Sequence, residues 1–463
     1  MKKAKSLLQA VYKNSDSLID EVKEFIESGA NLNVITSHGE SALRVASNNG
    51  RFDVIKLLLD AGADKEQLSW SNSFYEVAFG TVASLVESIN KYNDLEHTDR
   101  WDRTPWLMSI QVGDIEKTSE LIKLGANKMA TGRCGKQPLE YAIQHNNLEM
   151  LEWLIEQGLD IEATNDFEDT PLIVAAELGM TDCVKYLINK GADIFKENHI
   201  PQRAIQVAPS LDIVRLLVDE GDDINDICEL AHALLIGTKV NGTPKASQQD
   251  YVVGKNRRFG ETNPEKTVNN FWLEMIRSGV SAYRARSTYN DCGSGGEPVW
   301  SYERFGRSTT ILPNGTIIEI AGEHEDHYDP DFCIYNDVTV FNPGGEINIF
   351  SYPETVFPPT DFHTATLIGD YIYIIGSLGY MEKRVSGYTP VYKLSILSME
   401  IEKVETAGDM PGWISNHKAL LVDNSKIVLS GGDIYSYDGS EYKYEENNSK
   451  YQLCTKDNVW TRL

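Results

Sequence analysis

Residues 169–193 read DTPLIVAAELGMTDCVKYLINKGAD and contain the clearest secondary-structure signals in the first half of the chain. Residues 170–172, Thr-Pro-Leu, are typical of a helix start, because proline fits the first turn, where its missing N–H has no intrahelical partner. Apolar residues then recur at helical spacing within residues 184–188. Gly191 follows, and glycine readily adopts the left-handed conformation that ends a helix. The stretch therefore predicts two short helices closed by a glycine turn.

The same pattern recurs along residues 3–236. Its Thr-Pro-Leu opening returns, with variations, at residues 41–44, 104–106 and 137–139. Successive closing glycines lie 33, 63, 33, 33 and 30 residues apart, and the longest gap holds one degenerate copy at residues 73–93. The glycines are Gly29, Gly62, Gly125, Gly158, Gly191 and Gly221.

A period of about 33 residues and these motifs resemble the ankyrin-repeat family. The resemblance implies about seven repeats over residues 1–236, the third of them degenerate, stacked as an α-solenoid. The histidine that usually follows the opening motif is replaced here. At two of the openings its place is taken by Arg44 and Glu140.

In ankyrin proteins, short hairpin fingers between repeats form the binding face together with the inner helices. Here the fingers are residues 98–103, 131–136 and 164–169. Large tip side chains are the expected anchors because aromatic and arginine residues carry much of an interface's energy. The candidates for binding a partner are therefore Trp101, Arg103, Arg133 and Phe167. The alternative is that each ring folds back onto the neighbouring repeat.

The second half, residues 304–463, has a different repeat. Three stretches beginning at Ser308, His363 and His417 each read as two alternating strands followed by a glycine, and two further strands follow each of them. The glycines, Gly322, Gly376 and Gly431, lie 54 and 55 residues apart. Four strands in about 50 residues resemble kelch repeats. The implied fold is an antiparallel all-β domain of three kelch-like four-stranded units.

Three units are fewer than the four to eight that usually close a propeller. We expect an open partial propeller whose sheets are covered by a helix or by the ankyrin array. Alternatively, two chains complete each other. The predicted fold class is thus a multidomain α + β protein, a solenoid followed by a β domain.

Residues 237–303 lie between the two arrays and read as a polar linker with a helix at residues 267–286. Residues 245–307 hold ten lysines and arginines against seven acidic residues, in a chain of formal net charge −26. This mildly basic belt either docks within the chain or forms an anion site from Arg284, Arg286 and the glycine-rich loop at residues 290–296. The loop matches no nucleotide-binding motif.

The densest group of possible metal ligands is the stretch EHEDHYDPD at residues 323–331. Imidazoles and carboxylates can bind a divalent ion, which makes His324, His327 and Asp329 metal candidates. The alternative is an acidic, solvated loop. No nucleophile elbow, kinase motif or catalytic cysteine signature occurs, so an enzyme is the less favoured reading and no cofactor is expected.

The acidic composition argues against binding nucleic acid or an anionic membrane, since phosphates would be repelled. No stretch approaches the ~18 apolar residues of a membrane span, and six scattered cysteines suit a reducing compartment. We therefore expect a cytoplasmic, non-enzymatic protein that binds a protein partner. A basic partner that it neutralises, as an immunity or antitoxin protein does, is one such role. The alternative is an enzyme or ligand sensor with an anion or metal site where the domains join.

Overall fold

A computed structural model describes residues 6–291, 297–326, 329–437 and 441–463. For residues 325, 326 and 329–331 it describes the backbone and not the side chains. The chain divides into two compact units, Met1–Asp223 and Ile224–Leu463. No helix in the described ranges has the length and apolar character needed to cross a membrane.

The first unit consists of seven helix pairs in the described part of the chain. Alternate helices stack on one another, as α5, α7, α9, α11 and α13 do in chain order. The pairs are α1 (Leu7–Lys13) and α2 (Leu18–Glu27), α3 (Ala42–Asn48) and α4 (Phe52–Asp60), α5 (Asn72–Phe79) and α6 (Val82–Tyr92), α7 (Pro105–Val112) and α8 (Ile115–Lys123), α9 (Pro138–Ile143) and α10 (Leu148–Glu156), α11 (Pro171–Glu177) and α12 (Thr181–Asn189), α13 (Ala204–Val207) and α14 (Leu211–Asp219).

The opening motif caps the first helix of a pair. In α11, Pro171 is the first residue, and the Thr170 hydroxyl accepts a hydrogen bond from the Ile173 N–H at 3.2 Å. At the closing turn, Gly191 has φ +89° and nothing lies within 4 Å of the position of a Cβ. The glycine is therefore required by the backbone conformation and not by lack of space.

The second unit begins with four helices and one short strand. The helices are α15 (Glu229–Ile236), α16 (Gln248–Gly254), α17 (Asn270–Ser278) and α18 (Ala282–Thr288), and β1 (Glu265–Thr267) precedes α17. The single helix predicted at residues 267–286 is wrong. Gly279, at φ +55°, ends α17, and Ser281 caps α18. The predicted linker also contains α16, which Ser247 and Asp250 cap.

The helix α15 belongs to the second unit, whereas the sequence placed residues 226–236 at the end of the solenoid. Ile236 lies in the apolar core that includes Trp272 and Trp300. The Nε2 atom of His232 is 2.6 Å from the Glu319 carboxylate. These contacts hold α15 to the β-rich unit.

Three sheets of similar strand order follow, and every pair within them is antiparallel except β12 with β19. Their orders are β1-β7-β6-β3-β2, β11-β10-β9-β8 and β12-β19-β18-β15-β14. The strands are β2 (Ser308–Ile311), β3 (Ile317–Ile320), β4 (Glu323–Asp326), β5 (Asp329–Ile334), β6 (Val338–Phe341), β7 (Ile347–Ser351), β8 (Thr364–Ile368), β9 (Tyr371–Ile375), β10 (Val391–Ser395), β11 (Ile401–Lys403), β12 (Ala407–Gly408), β13 (Trp413–Ser415), β14 (Lys418–Asp423), β15 (Lys426–Ser430), β16 (Asp433–Tyr437), β17 (Tyr442–Glu446), β18 (Tyr451–Cys454) and β19 (Val459–Arg462).

The three sheets are held together by apolar cores and by a histidine–hydroxyl contact that recurs between successive sheets. One core joins the first and second sheets through side chains such as Ile318 and Ile372. Another joins the second and third through Ile375 and Leu429. The described strands thus form a largely antiparallel β region. The predicted order of helical repeats followed by antiparallel sheets is confirmed.

The sheets repeat with a register that differs by one residue from the sequence comparison. Phe362 N–H donates to the Gly306 carbonyl at 2.8 Å, and Asn416 N–H donates to the Phe362 carbonyl at 3.0 Å. Gly306, Phe362 and Asn416 are therefore equivalent, and Ser308 corresponds to Thr364 and not to His363. The turn at residues 312–316 is longer than its counterpart at residues 369–370, which hid the shift.

Candidate protein-interaction surface

The fingers of the first unit share one local design. Asp99 Oδ1 accepts hydrogen bonds from the N–H groups of Trp101 and Arg103, at 2.9 and 3.0 Å. Asn165 and Asn198 occupy the same position in later fingers and accept the equivalent pair of bonds. A short acceptor side chain at this position satisfies two turn N–H groups at once, which fixes the fingertip.

Backbone hydrogen bonds join each finger to the next. Arg133 N–H donates to the Trp101 carbonyl at 3.0 Å, and Asp166 N–H donates to the Cys134 carbonyl at 3.1 Å. His199 N–H donates to the Phe167 carbonyl at 3.1 Å. Four successive tips therefore form one connected row.

We call Trp101, Cys134, Phe167 and Ile200 the tip row, since they occupy the same position in successive fingers, 33 residues apart. Phe167 is 47% exposed and Ile200 is 54% exposed. Cys134 is exposed, and Trp101 is half-buried. The structure thus brings Trp101 and Phe167 onto one surface. Cys134 and Ile200 were not singled out from the sequence, although the 33-residue period pointed to both.

Two cationic or titratable side chains flank the rings of the tip row. The Arg133 guanidinium lies 5.7 Å from the centre of the Trp101 ring, and Arg133 is exposed. The His199 ring lies 5.7 Å from the Phe167 ring, with Nδ1 2.7 Å from the Phe167 carbonyl oxygen. Each ring is therefore supported on one side and open to solvent on part of its surface.

Arg103 lies in the interior of the first unit, so its side chain is not part of this surface. It is 1% exposed, and its Nε donates to Asp99 at 3.0 Å. Its other nitrogens donate to the backbone and hydroxyl oxygens of Ser47, at 2.8 and 2.6 Å. Arg103 joins a finger to the helix α3.

A lysine and a carboxylate lie at the base of the second of these fingers. The Lys136 Nζ atom is 4.3 Å from the centre of the Tyr141 ring. Burial lowers the pKa of Lys136 to about 8. Burial also raises the pKa of Glu140, whose carboxylate accepts a bond from the Gln137 N–H at 2.9 Å. The charge at this base therefore changes at a milder pH than that of an exposed lysine.

The proposed anion ligands lie on α18 and differ in environment. Arg284 is exposed and donates to the Asn241 side chain at 2.6 Å. Arg286 is half-buried near Tyr251. Of the glycine-rich loop predicted to complete the site, at residues 290–296, residues 292–296 lie outside the described residues.

Of the proposed metal ligands, only His324 has a described side chain. It is buried, and its Nδ1 is 3.1 Å from the Glu303 carbonyl oxygen. His327 and the side chain of Asp329 fall outside the described residues. Across the side chains that are described, no group of three or more histidine, cysteine, aspartate and glutamate residues is placed to hold a metal ion.

A cleft of about 330 Å³ in the second unit is lined by polar residues of α15 and of the segment before β2. Beneath it, Glu319 accepts a hydrogen bond from the Tyr302 hydroxyl and lies 2.6 Å from His232. Thr309 also donates to Glu319, at 3.2 Å. Electrostatic contacts with His232 and Arg307 hold the pKa of Glu319 well below its usual range despite its burial. Neither candidate arginine, nor His324, lines this cleft.

Two family models match the first unit. Residues 38–69 match the model described as "Ankyrin repeat", and residues 139–188 match "Ankyrin repeats (many copies)". The first unit contains ankyrin repeats. Such repeats are a protein–protein interaction module, which agrees with the exposed finger tips. No kelch family model matches the second unit.

Among solved structures, the chain is similar to the ankyrin repeat domain of Bcl-3, a member of the IkappaB protein family. The two are 22% identical, with a TM-score of 0.29, over 47% of this chain and 100% of that one. No similar sequence was found among curated proteins.

Proposed function

We propose that this protein is a non-enzymatic interaction protein that binds a protein partner through the tip row. The observation that carries the proposal is the connected row of exposed or half-exposed apolar side chains at equivalent finger positions. Phe167 and Ile200 each expose about half of their surface, on a backbone fixed by hydrogen bonds between fingers. Fixed anchors lose little conformational entropy on binding, so more of the contact energy remains as affinity.

Trp101 and Phe167 are the two anchors with the largest side chains. Tryptophan and tyrosine are enriched among interface hot spots together with arginine, and Arg133 lies against Trp101. We infer that Trp101, Arg133 and Phe167 make the central contacts. Arg103 supports their fingers from within.

The partner is proposed to be basic, because the chain carries a formal net charge of −26. An acidic protein attracts a basic one at long range and so raises its association rate. Neutralisation of a basic protein, of the kind that an immunity or antitoxin protein performs, is the role that this charge favours. This charge acts over the whole surface, whereas the tip row gives the contacts.

The second unit is proposed to be an open, kelch-like partial propeller that offers a second surface. Three sheets that share a four-strand order, two of them with a fifth strand added at the edge, support this interpretation. Their inner strands β2, β8 and β14 lie side by side. Helices cover the outer face of the first sheet through the core around Trp272 and Trp300.

The test is capture of partners from cells of the source organism, with the full chain as bait, in parallel for the native chain and the Trp101→Ala/Phe167→Ala variant. We expect the variant to lose the specific partner. An interface anchor contributes about 2 kcal/mol or more, so each loss weakens binding by roughly thirtyfold. Captured protein should also be released as the salt concentration rises.

The matched control is Met129→Ala, which removes a large apolar side chain that is 74% exposed and lies outside the tip row. It should capture the same partner as the native chain. Equal capture by the double variant would refute the tip-row proposal. Capture that does not change with salt, or a partner that is not basic, would refute the electrostatic part.

A further inference from the structure

The hairpin of β16 and β17 in the second unit carries four tyrosines on one face. Tyr435 lies directly opposite Tyr444, and Tyr437 directly opposite Tyr442. Directly opposed residues of antiparallel strands point to the same side of a sheet. Asp433 and Glu446 form the next opposed pair on that side. We call these six residues the tyrosine face: Asp433, Tyr435, Tyr437, Tyr442, Tyr444 and Glu446.

The rings form a continuous aromatic surface. The ring centres of Tyr437 and Tyr442 are 4.6 Å apart, and Tyr435 lies 5.6 Å from Tyr442 and 5.5 Å from Tyr444. Tyr437, Tyr442 and Tyr444 are 45%, 49% and 52% exposed, whereas Tyr435 is buried. Three large rings therefore remain half-exposed although they contact one another. Exposed aromatic surface of this kind is typical of a binding site.

The tyrosine face already binds one guanidinium group of this chain. The Cζ atom of Arg384 lies 5.1 Å from the Tyr435 ring centre and 5.5 Å from that of Tyr444. Arg384 also donates a hydrogen bond to the Tyr444 hydroxyl. The ring surface thus has a geometry that accepts arginine. At the other end of the strand pair, no arginine of the described residues is stacked on Tyr442.

The carboxylates of the tyrosine face favour a cation as well. Asp433 and Glu446 are opposed across the strands, and like charges in this position repel each other. Asp433 accepts a hydrogen bond from the Asn416 side chain at 3.3 Å, but neither carboxylate forms an ion pair with a described lysine or arginine. A bound cation would relieve this repulsion.

The outer edge of β17 can accept another strand. β17 is the last strand of the sheet β13-β16-β17, and all five of its residues are exposed. An edge strand presents backbone N–H and C=O groups that can pair with an extended segment. Side chains of an added strand alternate between the two faces, so every second one would lie over the tyrosine face.

We propose that the tyrosine face and the edge of β17 bind an extended segment with arginine at alternate positions. The segment pairs with β17 as an added strand, and its arginines stack on Tyr442 and approach Glu446. Arginine is favoured over lysine because its planar guanidinium stacks on aromatic rings and is weakly hydrated. The identification of this segment as part of a basic protein partner rests on the proposed function. The binding of an arginine-containing strand at this site does not depend on the proposed function.

Binding is measured by fluorescence anisotropy with short capped peptides and the full chain. The probes alternate threonine with arginine, with lysine or with glutamine, and a fourth arginine peptide carries N-methyl groups on alternate backbone nitrogens. We expect the arginine peptide to bind, the lysine peptide to bind several-fold more weakly and the glutamine peptide not to bind. The N-methylated peptide should lose binding, because it cannot pair with the strand edge. Equal binding of the arginine and glutamine peptides would overturn the proposal.

Variants then locate the site. Tyr442→Leu should weaken the arginine peptide by about threefold to tenfold, since a cation–π contact at a partly exposed site contributes roughly 0.5–2 kcal/mol. Glu446→Lys changes an exposed charge without removing a core side chain, and should abolish binding. Tyr283→Ala removes a tyrosine that is 59% exposed on α18, and should leave binding unchanged. Unchanged binding by both Tyr442→Leu and Glu446→Lys would refute the assignment.

The Trp101→Ala/Phe167→Ala variant separates this inference from the proposed function. It should bind the arginine peptide as well as the native chain does. If the peptide fails to bind while the native chain still captures a partner through the tip row, the tyrosine face is refuted alone. If the peptide binds and tip-row capture fails, the proposed function is refuted alone.

Discussion

At the scale of single residues, Arg103 shows how a motif that looks like a surface contact can be structural. Its guanidinium bonds Asp99 and Ser47, and the Asp99 side chain is fully buried. Removing one member of a buried ion pair leaves the other charge without compensation. We expect Arg103→Met to lower the free energy of unfolding by about 3–5 kcal/mol. Urea unfolding followed by the helical circular-dichroism signal measures this change.

The control for Arg103 comes from the other fingers. Asn165 and Asn198 stand where Asp99 does and make the same two turn bonds without a charge. The Asp99→Asn/Arg103→Met double variant should therefore be more stable than Arg103→Met alone. If the double variant is the less stable of the two, Arg103 does not act by compensating Asp99.

At the scale of secondary-structure elements, the sheets of the second unit are linked by equivalent histidines. His363 Nε2 lies 2.8 Å from the Ser308 hydroxyl of the preceding sheet, and His417 Nε2 lies 2.9 Å from that of Thr364. Burial lowers the pKa of His363 to about 3 and that of His417 to about 4. Both imidazoles are therefore neutral in the folded protein at pH values where the unfolded chain binds protons.

This difference predicts acid sensitivity in a defined range. An unfolded histidine titrates near pH 6.5, so the stability from these residues is present above that value and is lost as the pH falls towards 4. Each histidine should contribute at most about 1.4 kcal/mol per pH unit to the slope of the unfolding free energy against pH. Urea unfolding of the His363→Gln/His417→Gln variant between about pH 7.5 and 5 should show a flatter dependence than the native chain. The control is His199→Gln, which replaces an exposed histidine and should keep the pH dependence of the native chain. Equal slopes in all three proteins would contradict the prediction.

The sequence predicted elements well where their ends carry local signals, and poorly elsewhere. The helices α7, α9 and α11 begin at the Thr-Pro or Gln-Pro motifs because capping and proline geometry are local properties. The seven-repeat prediction implied a helix before α14, but no opening motif marked where the four-residue α13 begins. The tip position at Ile200 was missed for the same reason. The hydrogen bonds between fingers depend on tertiary stacking, so no local signal predicts them.

At the scale of the whole chain, the division between units depends on side chains far apart in sequence. The apolar pattern of α15 fits a final solenoid helix as well as it fits a helix that covers a sheet, so periodicity alone placed it in the first unit. The deciding partner of His232 is Glu319, which is 87 residues away. A boundary fixed by such a pair cannot be read from composition or spacing.

This boundary gives a direct test with two fragments. The fragment 224–463 retains α15. The fragment 237–463 loses His232 and leaves Glu319, which is 3% exposed, without one of its hydrogen-bond partners. Removing one hydrogen-bond partner of a buried polar group costs about 1–3 kcal/mol, and more where that group is charged. The loss of Ile236 from the apolar core adds to this cost. We therefore expect 224–463 to unfold cooperatively in urea and 237–463 to unfold at a lower midpoint or to aggregate. The full-length His232→Ala variant separates the polar contact from the loss of the helix, because only the first is removed. If the two fragments have equal midpoints, α15 contributes nothing to the second unit and the boundary near residue 236 predicted from sequence would be preferred.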